Sequence, residues 1–414
     1  MITKEEFEYL VDIELIEQGG KLVCYGNLDL EGRTEITELP DNLKVLGCLD
    51  LNSSGITKLP KGLEVKCWLD ISGTNIEELP EDTMLGGGLS VNKMKKPFSF
   101  PKVVKTDGYF DCEFTTIKIM PETLYVNWKC NFSYSKFDKL PKIMEIRSSL
   151  DLYGTPITEL PEGLKEVYGY LSISRTKVSK LPNNLVVSTH LILCNALIEE
   201  LPKGLVVGGE LDLRDTNFRD YSNLHKVCSK FEVTEEKYNE IKDILAEHII
   251  YNIPYSNNIC ITFKSNYKGA YLFENEDGRY IKADGMFAKI ITQKGNVYHI
   301  QMDGNKEITY LITDGEGRWS HGATLEDAKD DLLFKITDRN KSDYEGLTLD
   351  SELSFQDAIT CYRVITGACA FGTRDFIEHR LGENKKDKYT IKEIINLTKG
   401  EYGNQTFKVF FCED

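Results

Sequence analysis

Residues 49–63 read LDLNSSGITKLPKGL, and twenty positions later the chain repeats the phrase as LDISGTNIEELPEDT from Leu69. A proline preceded by Leu or another large apolar residue keeps the count. Pro40, Pro60, Pro80, Pro101, Pro121, Pro141, Pro161, Pro182 and Pro202 are 20, 20, 21, 20, 20, 20, 21 and 20 residues apart. An apolar–polar–apolar triplet starts at Leu28, Leu49, Leu69, Leu89, Phe110, Cys130, Leu150, Leu171, Leu191 and Leu211, so ten copies run in register. Strand alternation puts the outer residues of each triplet on one face and the middle residue on the other. Ser54, Thr74, Thr115, Ser135, Thr155, Thr176 and Thr216 come next, placed to turn hydroxyls inward onto backbone groups as the chain leaves the strand. Leu-Pro then favours an extended return path, because proline fixes φ. One copy cannot bury its leucines alone, whereas a stack buries them continuously. The period therefore predicts a solenoid with a parallel sheet along one side.

Aligned, the copies give G-x-L-D-L-x-x-T-x-I-x-x-L-P-x-x-L, which resembles the leucine-rich repeat with Thr or Ser where that family usually has Asn. The expected fold class is an α/β leucine-rich-repeat solenoid, with a parallel β-sheet and about ten repeats, followed by an α+β domain. The expected division is 1–23 as an N-terminal capping helix, 24–222 as the solenoid and 223–414 as an α+β domain of unknown function. Thr3 and Glu6 have capping-box spacing, and Gly19-Gly20 reads as the helix stop. Residues 234–250 read as a helix capped by Thr234. From Ile259 the turn signals E-D-G, K-G-N and D-G-N separate alternating segments, which predicts an antiparallel meander. Helices are expected over 324–336, 354–366, 373–381 and 390–398, with FKVFF at 407–411 as a last strand.

The repeats are similar to the short, 20–21-residue bacterial type found in secreted effectors of Gram-negative pathogens. Such effectors often end in a ubiquitin-ligase domain whose nucleophile lies in Cys-x-Asp. Outside the repeats that spacing recurs at Cys412-Glu413-Asp414 at the chain end, after a strand-rich region, so that activity is not expected. WSHGATLEDAKDDLLFK and CYRVITGACAFGTRDFIEH resemble blocks of uncharacterised phage and bacterial proteins, which implies an origin and no activity.

A net charge of −16 is unevenly spread: residues 1–50 hold 4 basic and 12 acidic groups, while 51–200 balance at 18 and 18. Nucleic acid is thereby an unlikely partner. No run of eighteen apolar residues occurs, so no membrane role is expected. MITKEEFEYLVDIEL has no signal-peptide pattern, which predicts the cytoplasm of a bacterial host, with secretion as an effector left open. Eleven cysteines without C-x-x-C read as reduced structural thiols, and no His/Cys cluster has zinc spacing. No cofactor and no metal are expected.

For chemistry, Cys369 between Gly367 and Gly372, just before a helix, is a nucleophile candidate. His321 or His299 would be its base, oriented by Asp314 or Asp303; the alternative is a buried thiol in a packing turn. His321 near a helix start is also placed to meet the phosphate of a small nucleotide-like ligand. The stronger expectation is a protein-interaction module. The middle residues of the triplets form an exposed row on the concave sheet that includes Asp50, Asp70, Asp111, Asp151 and Asp212. Trp68, Tyr109, Tyr170 and His190 flank it on one side and Tyr153 on the other. An acidic ladder beside aromatic rings suits a partner protein with a basic and partly apolar segment. The competing reading is that Asp is simply tolerated at this position, hydrogen bonding to neighbouring strands. The alternative function is a thiol-dependent protease or transferase whose repeats recruit the substrate.

Overall fold

The structure, a computed structural model, describes residues 2–255, 257–302, 305, 307–336, 341–368, 370–382 and 385–412. From Lys21 to Thr234 the chain winds into a parallel β-solenoid of about 11 turns. The triplets form its main ladder. Leu28–Asp29, Leu49–Asp50, Leu69–Asp70 and Leu89–Ser90 pair in parallel, and the pairing runs on through Leu191–Ile192 to Val206–Asp212. Each Leu-Pro dipeptide lies outside the strands. The return path is more ordered than the sequence implies, because the residues leading from it into the triplets form further parallel strands. These are Lys21–Cys24 with Leu43–Val45, Val103–Thr106 with Thr123–Val126 and Ile143–Ile146, and Glu166–Val167 with Val186–Val187.

The triplet leucines are the core: Leu49, Leu51, Leu150 and Leu152 are fully buried. The hydroxyl column works as its spacing predicts. Thr74 Oγ1 donates to Ile71 O and Thr176 Oγ1 to Ile173 O, each at 2.7 Å, while Thr115 Oγ1 reaches Val91 O of the preceding turn at 2.5 Å. The residue before this column has left-handed φ in all ten copies, between 51° and 68°, from Gly32 and Ser53 to Asp215, including the three copies where Arg33, Met94 and Ala196 replace the hydroxyl. Gly, Asn and Asp adopt this conformation most easily. Phe114 and Tyr134 occupy it too, and their rings stack at 4.7 Å and 8°.

A second column is set by crowding. Two positions before the triplet stand Gly47, Cys67, Gly87, Gly108, Trp128, Ser148, Gly169, Thr189 and Gly209. A Cβ on Gly87 would lie 2.2 Å from the Cys67 carbonyl oxygen, and one on Gly209 would lie 2.4 Å from that of Thr189. Gly87→Ala is therefore expected to force adjacent turns apart and to cost about 1–3 kcal/mol. Urea denaturation measures this; an unchanged midpoint would mean that the turns relax without strain.

The ends differ from their expected form. Thr3 and Glu6 make the reciprocal capping box, but the helix Lys4–Val11 stops at Asp12, whose φ is 57°. Gly19-Gly20 is instead the turn of an antiparallel hairpin between Ile16–Gln18 and Lys21–Cys24. Phe7 and Leu15 bury fully, which favours doubling the chain back over a longer helix. At the far end Cys228–Thr234 adds another parallel strand, and Asn258–Phe263 and Ile249–Tyr255 continue the sheet antiparallel. The sheet thus runs past residue 222. One compact unit comprises Met1–Lys264 with Phe273–Gly278, the other Ser265–Leu272 with Arg279–Asp414.

The second unit is built on the antiparallel meander, whose strands from Gly278–Ala283 to Trp319–Gly322 neighbour one another in chain order. Tyr298, Ile300, Leu311 and Trp319 bury in its core, and the helix Leu325–Ile336 packs against its last two strands. Helices Phe355–Thr366, Ile391–Leu397 and Asn404–Cys412 share a second core around Cys361, Ile365, Ile391 and Phe407. FKVFF is thus helical, which corrects the expected last strand. Phe407 and Phe411 are four apart on one helix face, and their rings meet at 5.0 Å. No helix among the described residues is long and apolar enough to cross a membrane.

Candidate partner-binding face

The exposed face of the triplet ladder carries the row of acidic residues, and the backbone explains why Asp recurs there. Asp29 accepts the N–H of Glu31 at 3.0 Å, Asp50 that of Asn52 at 2.9 Å and Asp70 that of Ser72 at 2.7 Å. Asp151 and Asp212 do the same for Tyr153 and Arg214, at 3.2 and 3.0 Å. Each carboxylate satisfies a main-chain donor two residues on, which the ladder leaves unpaired. Asn131 caps Ser133 in the same way at 3.0 Å, so this job needs the oxygen and not the charge.

The charge separates the row into two halves. Asp111 accepts from Asn92 Nδ2 at 3.0 Å and Asn131 Nδ2 at 2.9 Å. Asp151 accepts from Tyr170 OH at 3.0 Å and has Lys129 Nζ at 3.8 Å, with that ammonium 5.5 Å from the Tyr170 ring centroid. Asp212 is buried and pairs with Arg214, whose other nitrogen meets Glu232 at 3.3 Å. Asp29, Asp50 and Asp70 are different: among the described residues their carboxylates have neither an ion pair with Lys or Arg nor a hydrogen bond from a side chain, only the backbone N–H two residues on. Burial, and then the charges of Asp70, Asp29 and Glu31, push the Asp50 carboxyl above its ordinary value against the pull of the Asn52 N–H.

Two half-buried rings accompany the unpaired aspartates. Trp68 precedes the triplet of Asp70, and Tyr109 lies over Gly88, where a Cβ would come 2.7 Å from the ring. Burial, then Asp70 and Asp111, push the Tyr109 hydroxyl up to about 12, so it stays a neutral donor. The remaining expected residues have other surroundings. Tyr153 packs edge-on to Tyr134 at 5.0 Å under the Arg175 guanidinium, within the stack that holds neighbouring turns together. His190 is exposed, and its Nδ1 accepts the Glu210 N–H at 3.3 Å. Trp128, 63% exposed, was not singled out by the row argument. Its signal is its size in a column otherwise made of Gly, Ser, Thr and Cys.

Of the catalytic candidates, Cys369 and Asp303 lie outside the described residues. His299 contacts Thr292 Oγ1 at 2.7 Å and meets the Tyr310 ring edge-on at 5.0 Å. Asp314 accepts the N–H groups of Glu316 and Arg318 in its own turn, at 2.7 and 3.1 Å. The carboxylate at His321 is that of Asp284, 2.7 Å from Nδ1, a pairing across 37 residues that no local pattern announces. Cys112 and Cys130 are fully buried, and burial raises both thiols well above their ordinary range. Among the described residues no group of three or more His, Cys, Asp and Glu is placed to hold a metal ion. Compared with protein-family models, curated proteins and solved structures, the chain gives no match to any of them.

Proposed function

We propose that the solenoid is a leucine-rich-repeat array that binds a partner protein through Asp29, Asp50, Asp70, Trp68 and Tyr109. The 20–21-residue period with Leu-Pro supports the repeat type, and the resemblance of its phrases to bacterial effectors and phage proteins supports a factor acting on a host or rival protein. The observation that carries the binding site is the run of three aspartates in consecutive turns without a cation. Their mutual repulsion costs free energy that a basic segment of the partner would recover, while the two rings supply apolar contact.

Capture from a bacterial lysate with the full chain identifies the partner, and substitutions then test the site. Asn in place of Asp29, Asp50 and Asp70 keeps the backbone cap and removes the charge. This triple variant should associate more slowly and with weaker salt dependence, with stability no lower and slightly raised, by about 0.5 kcal/mol or less. Trp68→Ala and Tyr109→Ala should each weaken binding by about 1–3 kcal/mol, chiefly through faster dissociation. Binding that survives all these changes and is lost on removal of 265–414 would place the function in the second unit.

Acidity provides a further check. The Asp50 carboxyl sits above its ordinary value, and a cationic partner favours its charged form. Binding should therefore weaken as pH falls, beginning above the pH at which an ordinary aspartate, with pKa about 3.9, takes up its proton. Surface plasmon resonance across this range reads the effect, and the triple Asn variant should not show it.

A further inference from the structure

The second unit contains a cavity of about 420 Å³ that neither the solenoid nor its proposed partner explains. That volume falls in the range of small-molecule sites, roughly 300–1,000 Å³. Met286, Phe355, Ala358, Ile359, Phe376 and Leu397 contribute apolar walls. Asp284, on a left-handed turn with φ of 53°, lines the cavity together with His321. The carboxylates of Asp375 and Glu401 line it as well, and among the described lining residues there is no Lys or Arg.

The charges decide the kind of ligand. Asp284 is held by Lys335 and by His321, Asp375 by His379 at 3.0 Å and Glu401 by Arg380 at 3.0 Å, so the acidic positions are fixed by partners that do not all line the cavity. Lys335, His379 and Arg380 stand outside the lining, so a phosphate entering here would meet the acidic members of these pairs and no lining Lys or Arg. The nearby helix start offers no relief, because Asp327 already accepts from Thr324 N at 3.2 Å and from Thr324 Oγ1 at 2.8 Å. A nucleotide-like ligand is therefore the wrong chemistry for this cavity. An alkyl or aryl body fits its walls, and a hydrogen-bond-donating cation complements its carboxylates.

We propose that the cavity binds an apolar amine, with the hydrocarbon body against Phe355, Ile359 and Phe376 and the ammonium toward the carboxylates. The test uses octylamine, octanol and octanoate as probes of equal tail length, titrated calorimetrically into the full chain. Octylamine should bind saturably and at least tenfold more tightly than octanoate, with octanol between them. Ala358→Trp fills the apolar part, and Leu397→Trp narrows it from a partly exposed position that folding tolerates; each should reduce octylamine affinity at least tenfold. Should A358W fail to fold, L397W alone decides. Asp375→Asn with Glu401→Gln should weaken octylamine and leave octanol unchanged. The proposal is overturned if octylamine shows no saturable binding, if octanoate binds as tightly as octylamine, or if octylamine binding persists unchanged in L397W, which would assign it to the acidic row of the solenoid. Because the partner-binding variants lie in the other unit, failure here leaves that proposal standing.

Discussion

Replacing Leu150 by Asp lowers the unfolding free energy of the repeat array by about 4 kcal/mol or more. Leu150 is fully buried, and its strand pairs on one side with Cys130–Asn131 and on the other with Leu171–Ser172. Losing the leucine alone costs about 2–5 kcal/mol, and the carboxylate adds the penalty of an unpaired charge between two apolar neighbours. In a solenoid stability comes from turns and their interfaces, so a defect in the middle turn separates the array into two shorter stacks. Urea denaturation followed by circular dichroism should show a lower midpoint and a broader transition. A cooperative transition at the original midpoint would mean that the triplet leucines do not form the core.

The second large effect is expected at Asp331, where Asp331→Ala should destabilise its unit by about 3–5 kcal/mol. Asp331 is 1% exposed and accepts from Ser320 Oγ at 2.6 Å and Ala370 N at 2.8 Å. It also pairs with Lys335 at 3.1 Å and with Arg363, so its removal strands buried positive charge. Burial pushes this carboxyl up, but the Ser320 hydroxyl, the Lys335 charge and the Ala370 N–H outweigh it, and the group is held below its ordinary value. With a depressed folded pKa, the stabilisation is present above the unfolded value of about 3.9 and is lost as pH falls through the folded one. Calorimetry on acidification should therefore show the second unit losing stability in that window. Asp331→Asn should flatten the loss, and an equally steep loss in that variant would assign acid sensitivity to other groups. Asp50 has the opposite sign: its raised pKa makes its charged form a cost to folding at neutral pH that acid relieves.

The period made the solenoid legible because nine prolines and ten triplets report one geometry from many places. Two other columns carried signals of comparable quality that the triplet phrase overshadowed. The left-handed position holds Gly, Asn or Asp in five copies, at 32, 73, 154, 195 and 215, and the crowded position is mostly Gly. The aspartate row was visible as a pattern, but its cause was not: the bond from each carboxylate to the N–H two residues on depends on which donors the ladder leaves unused. The counter-ion of Asp151 was beyond reach for the same reason, since Lys129 meets it only once the turns are stacked, whereas Arg214 pairs with Asp212 two residues away. In the second unit the meander followed from its turns, whereas FKVFF carries apolar residues compatible with either period. The Asp284–His321 pair and the cavity beside it join residues distant in sequence, and spacing encodes neither.

The parallel register of Asp29, Asp50 and Asp70 makes the row a comb whose teeth recur at about 4.8 Å, the distance between neighbouring strands. An extended peptide laid along it repeats same-side residues every 6.6 Å or so and runs ahead by about 1.8 Å per tooth, roughly three-quarters of a tooth over the two steps from Asp29 to Asp70. An α-helix advances about 5.4 Å per turn and slips only about 0.6 Å per tooth. The comb is therefore a vernier, in step with basic residues spaced three and four apart along one face of a helix and out of step with those alternating along a strand.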